Sequence, residues 1–247
     1  MIKEDWLYVH GGYGSSKETV NQFTAYSTME RINLVNFKCE KIHYQQVVAN
    51  VERRWHTSFI YNNKFYIHGG WNDGGPVSDL TALDLDTLSW EVVPTTNAPS
   101  ERRWHSLTPL SGSSPLYLLF GGYDGDFQKT HSDAHVLNLE TMNWTSPSFR
   151  GDLPGAHINH TMVRISEKML LLLGGRDVHK NNYKVNHVLT TDNLTWREVK
   201  NSGDLHPINR SGHTAVRLGE HGLVVLGGNN PKYIEPFYYM DTRMLLF

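Results

Sequence analysis

The chain has 247 residues, 39% hydrophobic and 19% charged, with a net charge of −2. That profile fits an ordinary globular domain with one sizeable core, and it offers no bulk attraction for a phosphate backbone. Apolar runs such as Met169–Leu173 are too short to cross a bilayer, the opening MIKEDWLYV lacks a signal peptide's apolar core, and the one cysteine, Cys39, permits neither an internal disulfide nor a cysteine-based metal cluster.

Taken in order, the first recognisable element is the apolar run Trp6–His10, which closes on Gly11-Gly12. Only ten residues precede Gly11, so a strand before this run has no sequence to occupy, and Cys39 lies where a fourth strand would begin. A fuller unit follows. Residues 56–61 (HTSFIY) and 64–68 (KFYIH) read as two strands ending at Gly69-Gly70. Residues 80–85 (LTALDL) read as a third, and WEVV from Trp90 as a fourth. The plan returns with HSLTPL, LYLLF, Gly121-Gly122, AHVLNL and WTSP from Trp144. It returns again with HTMVRI, MLLLL, Gly174-Gly175, NHVLTT and WREV from Trp196. The last unit has HTAVRL, LVVL and Gly227-Gly228, and reaches the onset of its fourth strand at RMLLF.

The first glycines are spaced by 58, 52, 53 and 53 residues, and His56, His105, His160 and His213 precede theirs by 13, 16, 14 and 14. The tryptophans follow the second glycine by 20, 22 and 21 residues. Three landmarks in phase define a repeat. The second strand is apolar on both faces, as a strand packed between neighbouring sheets must be. The third alternates, as expected nearer a rim. The tryptophan suits the gap between adjacent sheets.

A four-stranded unit of about 50 residues, with Gly-Gly after strand two and Trp on strand four, resembles the kelch repeat. The resemblance implies an all-β, kelch-type β-propeller. About five blades are expected, roughly 1–46, 47–97, 98–150, 151–203 and 204–247, forming one domain whose first blade lacks its first strand. Whether five blades close a ring or belong to a longer propeller stays open.

In such a propeller the loops after strand two and before strand one share a face. Here the lead-in to strand one carries Arg53, Arg54 and Trp55, then Arg102, Arg103 and Trp104, then His157, then Arg210. Arg53, Arg102, His157 and Arg210 each stand three residues before a blade's histidine and therefore recur together. The loops after the glycines add Trp71, Asp73, Tyr123, Asp124, Asp126 and Arg176. Guanidiniums beside indoles suit an anionic group on a protein or peptide, such as an acidic segment or a C-terminal carboxylate. The competing reading makes Arg-x-x-His part of the repeat scaffold.

The recurring histidines are expected to hydrogen-bond at strand starts. His157 and His160, if on a strand, would point to opposite faces. His10 and His68 are expected to be satisfied core groups. No G-x-S-x-G elbow, P-loop or G-x-G-x-x-G is present. The chain is therefore read as non-enzymatic, with no catalytic residues, no metal and no cofactor. Its partner is a protein or peptide, not nucleic acid or membrane, and its expected location is cytoplasmic or nuclear, not secreted.

Beyond the repeat, RRWHSLTPLSGSSPLYLLFGG followed by HSDAHVLNLETMNW is similar to a blade of the kelch-domain-containing substrate receptors of cullin-RING ubiquitin ligases. That likeness implies a pocket for the extreme C-terminus of target proteins, with Arg103 and Trp104 at pocket-lining positions. The family's terminus-binding arginines follow a glycine pair directly and recur five residues later; here those places hold Trp71 and Pro76, while Arg176 offers a guanidinium from another blade. Two other readings stand beside this one: a small-molecule kelch enzyme of the mutarotase or metal-dependent lyase type, and a structural subunit docking into a larger assembly.

Overall fold

The computed structural model describes residues 2–15, 23–44, 51–112, 114–124, 129–201, 209–230 and 237–246. Asp126 and the expected blade boundaries at 46–47 and 203–204 lie outside them. Two compact units form, Met1–Arg103 and Trp104–Phe247. Among the described residues every regular element is a strand except one short 3-10 turn, Thr242–Met244.

Among the described residues the strands group into five blade sheets in sequence order, antiparallel except where Arg150–Gly151 runs parallel beside Thr195–Asn201 in blade four. Blade one holds Ile2–Lys3, Trp6–His10, Met29–Asn33 and Cys39–Lys41, and blade two holds Thr57–Tyr61, Lys64–His68, Leu80–Asp84 and Ser89–Val93. In the second unit, blade three holds Ser106–Pro109, Leu116–Phe120, Ala134–Asn138 and Asn143–Thr145; blade four holds Thr161–Ser166, Met169–Leu173, Asn186–Thr190 and Thr195–Asn201. Blade five has three strands, Ser211–Leu218, Gly222–Asn229 and Phe237–Asp241.

Local chemistry sets the turns. Asn62 and Asn63, both at positive φ, join strands one and two of blade two in a two-residue hairpin, a conformation asparagine tolerates. At the end of the third strands, Asp84 Oδ1 accepts from the Asp86 and Thr87 amides, and Asn138 Oδ1 accepts from those of Glu140 and Thr141. The third strand of blade two is more buried than its alternation suggests: Leu80, Thr81, Ala82 and Leu83 are all inside. It lies between two strands of its own sheet. Trp90, Trp144 and Trp196 are fully buried. Trp90 packs on His10 at 5.2 Å, and Trp196 packs on Phe120 at 5.5 Å. Each thus joins its own blade to the preceding one, and such a side chain holds about 3–5 kcal/mol against truncation.

The glycine pairs are the joints between blades. The second glycine's amide donates to the carbonyl three residues before the next blade's histidine: Gly12 to Arg53 at 3.0 Å, Gly70 to Arg102 at 2.9 Å, Gly122 to His157 at 2.9 Å and Gly175 to Arg210 at 2.8 Å. Gly175 sits at φ +89, and a Cβ there would lie 2.7 Å from the Cβ of His160. Replacement by alanine is expected to cost about 3 kcal/mol, since both strain and a backbone-level clash oppose it. Gly212, at φ +69 with no described atom within 4 Å of its Cβ position, should lose only about 1 kcal/mol when both variants are compared by urea titration. Equal losses would contradict the packing role.

The two end blades depart from the pattern. Blade one's first strand is a two-residue edge, Ile2–Lys3, turned back onto Leu7 and Trp6 through Glu4 at φ 53. In blade five, the RMLLF stretch does not begin a fourth strand of that blade. Asp241 caps the 3-10 turn by accepting from the Arg243 amide, and Leu245–Leu246 then pairs with Lys200–Asn201, the outer strand of blade four. Burial of Leu245 in the core shared by blades four and five accounts for this choice.

Candidate functional site

The lead-in to strand one clasps the residue after its own blade's glycines. Arg54 and Trp71 exchange backbone hydrogen bonds at 3.0 and 2.8 Å, and Ile158 and Arg176 do so at 3.1 and 2.9 Å. The next residue must turn sharply into the strand, and it does so in the left-handed region: Trp55 at φ 60, Trp104 at φ 60, Asn159 at φ 56 and Gly212 at φ 69. In the second unit these turns are tied in series, with the Asn159 amide donating to the Trp104 carbonyl and the Gly212 amide to that of Asn159. Glycine and asparagine adopt this conformation readily; tryptophan adopts it at a cost of about 1–2 kcal/mol.

The proposed arginines divide by depth. Arg53, Arg102, His157 and Arg210 are at most 1% exposed. Arg53 makes a two-pronged ion pair with Asp79, 3.0 Å to each carboxylate oxygen, and donates to the Gly69 carbonyl. Burial raises the Asp79 carboxyl, but the Arg53 guanidinium and the Thr81 hydroxyl outweigh it and hold it below the usual carboxylate range. Arg102 donates to the carbonyl and hydroxyl of Ser100. His157 bonds the Gly155 carbonyl at 2.7 Å and stacks on Tyr183 with ring centres 3.7 Å apart. Arg210 donates to the Gly227 carbonyl and lies 4.3 Å over the Tyr238 ring.

The second arginine of each pair faces differently. In the first unit the Arg54 guanidinium lies 3.9 Å over Tyr13 and 4.7 Å from Trp55, while that of Arg103 lies 4.8 Å from Trp55 and 4.3 Å over Trp71. Tyr13, Arg54, Trp55, Arg103 and Trp71 thus form an alternating ladder of rings and cations. Among the described residues no carboxylate or carbonyl binds the Arg54 guanidinium, and its buried Nε has no acceptor. Trp55 is 38% exposed at the ladder's surface. The second unit has a shorter strip, in which Trp104 stacks on Tyr123 at 5.9 Å and Arg176 lies 5.8 Å from Trp104. The Arg176 Nε likewise has no acceptor among the described residues.

The histidines differ from expectation in two respects. His157 and His160 do not point apart, because the strand begins only at Thr161; their rings meet edge to face at 6.0 Å, both beside Phe120. His10 is packed but not satisfied: it meets His56 edge to face at 5.4 Å, and neither ring nitrogen has a hydrogen-bond partner among the described residues. His160 does bond at its strand start, to Ser106 Oγ at 2.9 Å. Cys39 is exposed and free.

A sequence model of the KLHDC2/KLHL20/DRC7 Kelch-repeats domain matches residues 1–117 and again 111–245. The chain belongs to this family. Among curated proteins the kelch domain is similar to Acyl-CoA-binding domain-containing protein 5 of Arabidopsis thaliana, with 30% identity over 93% of this chain and 35% of that one. It is similar to Kelch domain-containing protein 3 of Mus musculus, with 26% identity over 94% of this chain and 63% of that one. A third relative, the human Rab9 effector protein with kelch motifs, is 28% identical over 47% of this chain and 32% of its own length. The chain therefore spans less than two thirds of each of these relatives. As a kelch-repeat domain it is of a kind that mediates protein interactions.

Two members of this constellation escaped sequence reasoning. Tyr13 follows Gly11-Gly12 as Trp71 follows Gly69-Gly70, but blade one carries too few other landmarks to draw attention to it. Asp79, the partner of Arg53, lies in a Ser-Asp step just before a third strand, and Ser132-Asp133 repeats it in blade three. That repeated acid was the available signal.

One expected outcome isolates the ladder from the scaffold. Trp55→Asn puts the residue of blade four's equivalent turn in place of a strained tryptophan. Relief of strain offsets the lost ring contacts, so stability should change by less than about 1 kcal/mol in a urea titration, against about 3–5 kcal/mol for a core tryptophan. A core-sized loss would make Trp55 a packing residue.

Proposed function

We propose that this kelch domain binds a protein or peptide through the Arg54–Trp55–Arg103–Trp71 ladder, with Tyr13 as its end plate. The observation that carries the reading is the Arg54 guanidinium, positioned between Tyr13 and Trp55 with no anion of its own among the described residues. Stacking fixes the fork and leaves its donors for a carboxylate, which arginine binds in two-pronged fashion. Trp104, Tyr123 and Arg176 form a second, separate contact strip. Arg53, Arg102, His157 and Arg210 support these loops from beneath. The tryptophans held in the left-handed region favour the same reading, because strain of that kind is retained where the side chain has a use.

The ligand is an acidic segment or a free C-terminal carboxylate, and the likeness to kelch substrate receptors of ubiquitin ligases makes recognition of a substrate protein the natural setting. The test is selection of peptides on the purified chain from a displayed library, followed by titration of the selected peptides with free and amidated C-termini. The reading expects binders that share a carboxylate and weaken as salt rises; binders that are uncharged and insensitive to salt would overturn it.

A further inference from the structure

Three side chains of blade three form a hydrogen-bonded series. His135, the second residue of the strand Ala134–Asn138, lies 2.9 Å through Nε2 from Asp133 Oδ2. Through Nδ1 it lies 2.9 Å from the hydroxyl of Ser146, the residue just past the neighbouring strand Asn143–Thr145. A carboxylate only accepts, so the neutral ring carries its proton on Nε2 and turns the Nδ1 lone pair to the Ser146 O–H. The backbone fixes the set: the Asp133 carbonyl accepts from the Gly121 amide, and Val136 pairs with Thr145 one step further along the sheet. His131 Nδ1 lies 3.9 Å from the other Asp133 oxygen.

The repeat itself does not require this series. Counted from the pairs Leu83–Trp90 and Leu137–Trp144, blade two holds Asp79, Thr81 and Val92 in the same places. There the Thr81 hydroxyl donates to Asp79 Oδ2 at 2.8 Å, and a valine stands opposite the threonine. Blade three has a base where blade two has a plain donor, and a hydroxyl where blade two has an aliphatic side chain. The His135 side chain is 16% exposed, while Ser146 is open to solvent. Ser146 and Asp133 both line a cleft of about 290 Å³, whose walls include Phe120, Phe149, Leu153 and Trp196. The nucleophile end of the series thus meets an apolar hollow in the same unit.

We propose that Ser146 is a nucleophile toward carboxylic esters with a short apolar acyl chain, with His135 as its general base. As Oγ bonds to the ester carbonyl carbon, its proton passes to His135 Nδ1. The imidazolium, stabilised by Asp133, gives that proton to the departing alkoxide oxygen as the C–O bond breaks, leaving an alcohol and an acyl-Ser146. Water then attacks the acyl carbon with the same nitrogen as base, which releases the carboxylic acid and restores the serine. The aromatic and aliphatic walls suit the acyl chain, and a cleft of this size is at the small end for ligand sites, which favours a short one. The activity is separate from binding at the Arg54 ladder and does not depend on it.

The test incubates the full chain with p-nitrophenyl butyrate at about pH 8, where an ordinary imidazole is neutral. It follows nitrophenolate release and locates the butyryl group by peptide mass spectrometry. The butyryl group is expected on Ser146 and should be lost in Ser146→Ala. His135→Thr restores blade two's residue and keeps a donor for Asp133, so it should melt like the parent while acylation of Ser146 slows by about 100-fold or more. A butyryl group found only on residues other than Ser146 in the parent would overturn the proposal, and so would equal rates of Ser146 acylation in the parent and His135→Thr.

Discussion

The chain should unfold on mild acidification, with a midpoint near about pH 5, where only part of the carboxylate population has begun to protonate. Burial pushes His10 down to about 3, helped by His56 and the Arg53 charge, and burial beside Arg53 pushes His56 to about 3 as well. Burial lowers His157 to about 4 despite its bond to the Gly155 carbonyl, and lowers His213 to about 4 beside Arg210. His160, fully buried near His157 and His213, is held well below the ordinary value. In the unfolded chain each titrates near about 6.5. Below that pH the unfolded state binds more protons, so stability is complete above about pH 6.5 and is lost as pH falls toward the folded values. Each such histidine removes at most about 1.4 kcal/mol per pH unit, and five together approach the whole stability of a domain, roughly 5–15 kcal/mol, within one to two units. Far-ultraviolet circular dichroism against pH reads the transition. Phe120 occupies in blade three the place His10 holds in blade one, so His10→Phe should move the midpoint to lower pH. Stability that stays level between about pH 7 and 4.5 would contradict these protonation states.

The second large effect lies under the ladder. Asp79→Ala leaves the fully buried Arg53 guanidinium without its anion, a change that costs about 3–5 kcal/mol in buried pairs. Asp79 keeps 31% of its side chain exposed, so water can reach the vacated place and the lower end, about 3 kcal/mol, is expected. That corresponds to a fall in Tm of roughly 6–12 °C for a chain of this size. Replacing both partners with leucine should recover much of the loss, because no charge is then stranded. A melt of Asp79→Ala indistinguishable from the parent would show that Arg53 does not depend on this partner.

Both effects depend on side chains whose surroundings the sequence declares unevenly. The blades were legible because the glycine pair recurs in all five, with the histidine in four and the tryptophan in three in phase with it. The first glycine of a pair is a glycine because the next blade's backbone passes close, as at Gly11 and Gly121, and the second because its own blade's lead-in histidine does, as at Gly70 and Gly175. The division of labour between Arg53 and Arg54 was not legible. Neighbouring residues on an extended lead-in point to different sides, and which side is buried depends on Asp79, 26 residues away, and on Tyr13, in another blade. The fate of RMLLF was hidden for a similar reason: its repeat position assigns it to blade five, while the apolar gap that accepts Leu245 is bounded in part by blade four. The pairing of His157 with His160 turned on a strand boundary at Thr161, a boundary of one or two residues that local pattern does not resolve.

The most direct measurement of the central claim is the affinity of a library-selected, carboxylate-bearing peptide for the parent chain and for Arg54→Ala with Trp55→Asn, under conditions where both melt cooperatively. Loss of the two-pronged anchor and its supporting ring predicts an affinity drop of about 100-fold or more, with Tm nearly unchanged. A variant that binds the same peptide as tightly as the parent would contradict the ladder as the binding site.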